Sequence, residues 1–123
     1  MDLSKADLQT IRKVIEEQIA AFLQDDAVTA FAQAAPGIQM QFGTAENFVR
    51  MVEAAYPPVY QPRSVVFEAV EQVEGLPAQQ VMMMDSEGEL IRATYLMQQQ
   101  PMGDWKIAGC YLTAVDGEEG DEA

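Results

Sequence analysis

The ten residues Ser64–Val73, SVVFEAVEQV, decide the fold of this chain, because the spacing of apolar residues changes there. Val65 and Phe67 alternate with Val66 and Glu68, whereas apolar residues upstream recur every three or four positions. Alternation with a period of two predicts a β-strand that turns one face toward a core. Three similar segments follow, AQQVMMMD, LIRATYLMQQQ and WKIAGCYLTA, each after a short turn. The chain downstream of Ser64 is therefore predicted to form a four-stranded antiparallel meander.

Upstream of this segment, the first predicted helix begins near the N-terminus. Ser4 and Asp7 have the spacing of a capping box, with Asp in place of Glu. Apolar residues then recur at steps of three or four and share one helix face: Leu8, Ile11, Ile15, Ile19 and Phe22. This face is predicted to pack against the sheet.

Two further helices are predicted before the first strand. Asp26 is a suitable cap for AVTAFAQAA, which we expect to end at Pro36 and Gly37. Thr44 caps a third helix, which is expected to stop before the prolines of YPPVYQPR, a segment predicted to be extended. Three helices followed by four strands predict an α+β domain, with the three N-terminal helices packed on one face of the sheet.

The alternation along the strands divides their side chains between two faces. One face is predicted to form the core and contains Val65, Phe67, Val81, Met83, Ile91, Tyr95, Met97, Trp105 and Ile107. The other face mixes polar residues with a second apolar set: Val66, Val70, Met82, Met84, Leu96 and Leu112. Because helices cover only one face, we expect the second set to form a homodimer interface.

Composition limits the partners and the chemistry of the chain. Its 123 residues suit one domain, predicted over residues 1–114, and the acidic tail 115–123 is predicted to be disordered. A net charge of −13 disfavours nucleic acid and anionic membrane surfaces as partners. With one cysteine and no histidine, neither a disulfide nor a Cys/His zinc site is possible, and no cofactor is expected. The N-terminal sequence MDLSKADLQT lacks the features of a signal peptide, so a cytoplasmic location is expected.

The segments from VIEEQIAAFL through AAYPPVY, together with the later GDWKIAGCYL, resemble an uncharacterised bacterial family of unknown function. That family resembles the nuclear transport factor 2-like superfold, which includes ketosteroid isomerase and scytalone dehydratase. The resemblance spans residues 8–114 and implies a curved, cone-shaped sheet with an apolar cavity between the sheet and the helices. In this sequence the implied cavity lining is Phe22, Phe31, Met40, Phe42, Met51, Tyr56, Met83, Tyr95 and Trp105.

The sequence departs from the isomerases where their catalysis is concentrated. The resemblance implies an Asp base just ahead of the third helix, but Gln41 or Phe42 stands there. The oxyanion-binding tyrosine of the first helix has no match either, since Ile15 and Ile19 occupy that face. A hydrogen-bond donor without a base does not make that catalyst.

Other candidate reactive groups have structural interpretations. Cys110 lies in a predicted strand without a histidine, a helix N-terminus or a cluster of cations to stabilise its thiolate, so it is predicted to be a quiet apolar residue. Asp25 and Asp26 are interpreted as a turn residue and a helix cap. The sequence favours a non-enzymatic homodimer that acts as an interaction or small apolar ligand-binding domain. The alternative is an isomerase or dehydratase that uses an unrecognised acid near the cavity.

Overall fold

The computed structural model describes residues 3–115, and these residues form an α+β domain with the helices first and the sheet second. The predicted disordered tail lies, except for Val115, outside the described residues. The helices are α1 (Lys5–Leu23), α2 (Ala27–Ala32), α3 (Pro36–Phe42), α4 (Ala45–Ala55) and α5 (Pro57–Tyr60). The strands are β1 (Ser64–Val73), β2 (Leu76–Met84), β3 (Leu90–Gln99) and β4 (Trp105–Ala114). The predicted fold class, helices packed against a curved antiparallel sheet of four strands, is confirmed.

The N-terminal cap of α1 forms as the sequence predicts. The backbone N–H of Asp7 donates to the Ser4 hydroxyl at 2.9 Å, and the N–H of Ser4 donates to the Asp7 carboxylate at 3.1 Å. These two bonds satisfy backbone donors that the first helical turn leaves unpaired. The apolar face of the helix is buried from Ile11 to Phe22, whereas Leu8 remains partly exposed.

The helical region contains five helices rather than the three predicted. The helix predicted for AVTAFAQAA ends at Ala32 rather than at Pro36, and Pro36 is instead the first residue of α3, which occupies the segment IQMQF. Residues Pro57–Tyr60 likewise form a single helical turn, so the expectation of an extended YPPVYQPR segment is wrong there. The physical reason is the same at both sites. Proline has no N–H, and the first turn of a helix needs none, so proline at the start favours the helix that follows it.

The sheet is an antiparallel meander in the order β1-β2-β3-β4, as predicted. Val73 pairs with Leu76 across a loop of only two residues, Glu74 and Gly75. Both loop residues have positive φ, 54° and 84°, which is the backbone of a type I′ turn. A type I′ turn, the mirror image of a type I turn, matches the twist of the flanking strands and fixes their register.

An irregularity in β4 changes which side chains face the helices. Met97 pairs with Ile107, but Leu96 pairs with Gly109, so Ala108 is an extra residue in β4. Beyond this bulge the alternation is inverted. Leu112 pairs with buried Ala93 and packs against the core. The prediction that Leu112 lies on the uncovered face is therefore wrong.

A second irregularity lies in β1, between Phe67 and Val70. Val70 pairs with Gln79, and Gln79 pairs with Tyr95, a core residue. Since directly opposed residues share a face, Val70 points to the helical side of the sheet, and its predicted place on the uncovered face is also wrong. Val66, Met82, Met84 and Leu96 keep the predicted orientation.

The core joins α1 to the sheet as the sequence predicts. The most deeply buried side chains are Tyr95, Phe22, Ile11, Ile15, Met83, Met97 and Val81. Trp105 and Ile107 are buried at the start of β4, and Val65 and Phe67 pack at the margin of the same cluster. Phe48 of α4 extends the core with ring contacts to Phe31 at 5.4 Å and to Phe42 at 5.8 Å between centroids. This aromatic group holds the short helices against α1.

Candidate ligand-binding cavity

A cavity of about 580 Å³ lies between the short helices and the last two strands. The helical side of its lining includes Phe22, Phe42, Phe48, Met51 and Tyr56, and the sheet side includes Tyr95, Ile107, Ala108, Gly109 and Cys110. The volume falls in the range of small-molecule sites, roughly 300–1,000 Å³. Its wall is predominantly apolar and aromatic.

Helix α4 supplies one wall because of how it begins. The Thr44 hydroxyl accepts a hydrogen bond from the backbone N–H of Asn47 at 3.1 Å and so caps the helix. From this start, residues at helical spacing turn to the cavity: Phe48, Met51, Val52 and Ala55. The cap sets where α4 begins, and the helical repeat brings these four residues onto the face that lines the cavity.

The opposite wall is formed by the bulged part of β4. The connection between α2 and α3 is bonded to this strand: the N–H of Ile107 donates to the Gln33 carbonyl at 2.9 Å, and the N–H of Ala35 donates to the Ile107 carbonyl at 2.8 Å. The Lys106 ammonium adds a bond to the Ala32 carbonyl at 2.8 Å. These contacts hold α3 beside the sheet, and the bulge places Ala108, Gly109 and Cys110 at the cavity.

The cavity has few polar groups. Across residues 3–115, none of the side chains that line it is charged. The Gln18 amide is buried and donates to the Ala30 carbonyl at 3.0 Å. The hydroxyl of Tyr95 is buried with no hydrogen-bond partner. Burial raises the pKa of Tyr95 well above its ordinary value and raises the pKa of the Cys110 thiol to about 12. Both groups therefore stay protonated at neutral pH.

The predicted lining residues are divided between this cavity and other places. Phe22, Phe42, Met51, Tyr56 and Tyr95 line it. Phe31 instead packs behind Phe48, and Met83 is enclosed in the core. Met40 is 83% exposed, because α3 turns that side chain to solvent, so its assignment to the cavity is wrong.

Trp105 is the fourth predicted lining residue that lies elsewhere. It pairs with Gln99 at the end of the sheet and lies beside Asp7, near the start of α1. The bonds from Ser4, and then the indole of Trp105, lower the pKa of Asp7. Phe48 lines the cavity but was not predicted to do so, although its helical spacing with Met51 and Val52 is visible in the sequence. Cys110 also lines the cavity without having been predicted to, because the bulge that turns it there leaves no clear mark in the alternation of apolar and polar residues.

A second, larger groove of about 680 Å³ lies between the start of α1 and β1. Its lining includes Leu8, Arg12, Phe67, Val70 and Glu71. The Arg12 guanidinium lies 4.5 Å from the centre of the Phe67 ring and bonds the Glu16 carboxylate at 2.9 Å. This groove has charged walls, and among the described residues that line it no side-chain nitrogen or oxygen is both buried and unpartnered, so the smaller cavity is the better candidate site.

The acidic residues singled out from the sequence have structural roles. The Asp26 carboxylate accepts from the N–H of Thr29 at 3.1 Å and caps α2, and the bonds from Thr29 lower its pKa. Asp25 accepts a hydrogen bond from the Tyr60 hydroxyl at 2.9 Å, which raises the pKa of Tyr60. In the turn DSEGE, the Asp85 carboxylate accepts from the N–H groups of Glu87 and Glu89. The interpretation of Asp26 as a helix cap and of Asp25 as a turn residue is confirmed.

The described residues offer neither a metal site nor a membrane-spanning helix. No three residues of the types His, Cys, Asp and Glu come together there in a way that would hold a metal ion. In the same part of the chain, no helix has the length and hydropathy needed to cross a membrane.

Comparison with known proteins identifies a family without an assigned activity. Residues 4–120 match the domain of unknown function DUF4864, so the chain belongs to that family. Neither a curated protein nor a solved structure matches the chain significantly. The functional interpretation therefore depends on the cavity itself.

Proposed function

We propose that this member of the DUF4864 family binds a small, largely apolar molecule in the cavity between the short helices and β3–β4. The observation that carries the proposal is the combination of about 580 Å³ of space with an uncharged, aromatic lining. Apolar clefts of this size with few polar groups are the usual form of small-molecule sites. The cone of the nuclear transport factor 2-like superfold is part of the same proposal, supported by the α+β order and the curved sheet.

A binding role fits the lining better than the isomerase or dehydratase alternative. Such catalysis requires a base placed against the substrate. Two of the described carboxylates have a shifted pKa, those of Asp7 and Asp26, and in both the pKa is lowered rather than raised. Neither residue lines the cavity. The cytoplasmic location expected from the sequence stays a prediction.

A substitution at the rim of the cavity tests the proposal. Ala54 and Ala55 are both exposed at the end of α4, but only Ala55 is part of the cavity lining. Ala55→Trp should obstruct the cavity and weaken the binding of an apolar probe such as 2-acetylnaphthalene at least tenfold. Ala54→Trp is the matched control and should bind as the unmutated protein does. Equal binding by all three proteins in a calorimetric titration would contradict a site in this cavity.

We further propose that the chain forms a homodimer through the outer face of its sheet, the face without helices. Val66 is 59% exposed there, and Met82, Met84 and Leu96 are half-buried around it. Four strands of about ten residues give the outer face a flat area of roughly 600 Å². Protruding side chains increase its accessible area, which then approaches the roughly 800 Å² that each partner buries in a stable interface.

Charge supports a second copy of the chain as the partner on this face. The four strands contain two acidic residues, Glu68 and Glu71, and two basic ones; the Lys106 ammonium turns to the Ala32 carbonyl of α2, whereas Arg92 stays on the outer face and offsets one of the two carboxylates, so this face carries little charge although the chain carries −13. Arg92 and Glu68 form an ion pair at 2.9 Å in the middle of the sheet. Two such faces can meet without the repulsion that the rest of the surface imposes.

Disruption of the outer face tests the dimer. Val66→Glu combined with Met84→Glu should convert a dimer to a monomer in sedimentation velocity at micromolar concentration. Val28→Glu, at a position 71% exposed on α2, is the control and should leave the mass unchanged. A monomeric mass for the unmutated protein would refute the dimer without affecting the cavity proposal.

A further inference from the structure

The Tyr95 side chain has a feature that packing alone does not explain. It is the largest fully buried side chain of the described residues, and its hydroxyl has no hydrogen-bond partner. A buried hydroxyl without a partner loses its bond to water and gains nothing in exchange, so such groups are rare in folded proteins. Phenylalanine would fill the same space without that penalty. A ligand that completes the bond accounts for the hydroxyl.

The surroundings of the hydroxyl indicate what the ligand must offer. Tyr95 lines the cavity, and Cys110 lines it directly opposite on the neighbouring strand. Burial keeps both the phenol and the thiol protonated at neutral pH, so each has a hydrogen to donate. The nearby Gln18 amide nitrogen is already bonded to the Ala30 carbonyl. A ligand oxygen that accepts from the phenol would therefore complete its missing hydrogen bond.

Charge further restricts the ligand. No cationic side chain lines the cavity among the residues that the structure describes. A carboxylate placed there would lose its hydration without an opposite charge to compensate, inside a protein of net charge −13. An ammonium group would meet the same absence of an opposite charge. An uncharged molecule avoids both costs.

We propose that the cavity selects an uncharged, largely aromatic or apolar molecule with a carbonyl-type oxygen, and that this oxygen accepts a hydrogen bond from the Tyr95 hydroxyl. The inference rests on the proposed function and names the ligand class for that site. Tyr95 lines the cavity but its hydroxyl is shielded from water, so a ligand must displace neighbouring side chains to reach it. The half-buried lining residues Phe42 and Met51 leave room for that adjustment.

Three probes of nearly equal size test this selectivity: 2-acetylnaphthalene, 2-ethylnaphthalene and 2-naphthoate. The ketone has a neutral acceptor, the hydrocarbon has none, and the acid is charged at pH 7. The unmutated protein should bind the ketone about tenfold more tightly than the hydrocarbon, because one hydrogen bond to a buried donor is worth about one decade of affinity. It should bind the naphthoate more weakly than either.

Two single-atom variants locate the effect. Tyr95→Phe should abolish the preference for the ketone over the hydrocarbon while both probes still bind. Tyr111→Phe removes a hydroxyl from a partly exposed tyrosine of β4 that does not line the cavity, and it should leave the preference unchanged. The inference is wrong if Tyr95→Phe keeps the preference, if the ketone and hydrocarbon bind the unmutated protein equally, or if the naphthoate binds best. Failure of all three probes to bind would overturn the proposed function, and this inference with it.

Discussion

The buried hydroxyl of Tyr95 predicts that a less polar variant is the more stable protein. Tyr95→Phe removes only an oxygen that has no partner and keeps the ring that fills the core. An unsatisfied buried polar group costs about 1–3 kcal/mol, and the protein recovers that cost when the group is removed. We expect Tyr95→Phe to raise the free energy of unfolding of the ligand-free protein by about 1–2 kcal/mol. Most core substitutions act in the opposite direction.

The measurement is urea unfolding followed by circular dichroism, with the denaturant slope unchanged between the variants. Tyr60→Phe is the matched control, because the same atom is removed from a tyrosine whose hydroxyl does donate, to Asp25 at 2.9 Å. That variant should lose about 0.5–1 kcal/mol. A loss of 1 kcal/mol or more in Tyr95→Phe would refute the reasoning, since it would mean that the hydroxyl has a partner in the folded protein.

Three more predictions concern the core, the thiol and a helix cap. Trp105→Ala should lower the free energy of unfolding by about 3–5 kcal/mol, because the side chain is buried between α1 and the sheet. A loss below about 1 kcal/mol in a denaturant titration would contradict that burial. Cys110, with a pKa of about 12, should react far more slowly with a thiol reagent at pH 8 than the same thiol in urea; equal rates would contradict its burial. Asp26→Ala should lower the stability of the protein measurably at pH 7, because it removes the N-terminal cap of α2. Because folding lowers the pKa of Asp26, the contribution of the carboxylate to stability should be lost as the pH falls below about 4. Equal unfolding midpoints of Asp26→Ala and the unmutated protein at pH 7 would argue against the cap.

The long elements could be predicted from the sequence because each repeats one signal many times. Apolar residues recur on one face of α1 from Ile11 to Phe22, and a period of two runs along β2 and β3 and along β1 and β4 up to their bulges. The short helices α3 and α5 could not be predicted in the same way. One or two turns hold too few residues for periodicity, and a proline that begins a helix looks, in sequence, like one that ends it.

The bulges limited the prediction of the site. A single extra residue at Ala108 inverts every later position of β4, so Leu112 joined the core and Cys110 joined the cavity. Whether a strand contains such an extra residue depends on its pairing with the neighbouring strand and on the α2–α3 connection bonded to Ile107. Neither contact is local in sequence. The unpartnered state of the Tyr95 hydroxyl likewise depends on every element packed around it.

A backbone amide chemical-shift titration with 2-acetylnaphthalene tests most directly whether the cavity is the binding site. The largest saturable shifts should occur on both walls at once, at Phe48 and Met51 of α4 and at Gly109 and Cys110 of β4. The amides of the larger groove, such as those of Leu8 and Glu71, should remain unchanged. Shifts centred on that groove, or no saturable shift at any residue, would contradict the account.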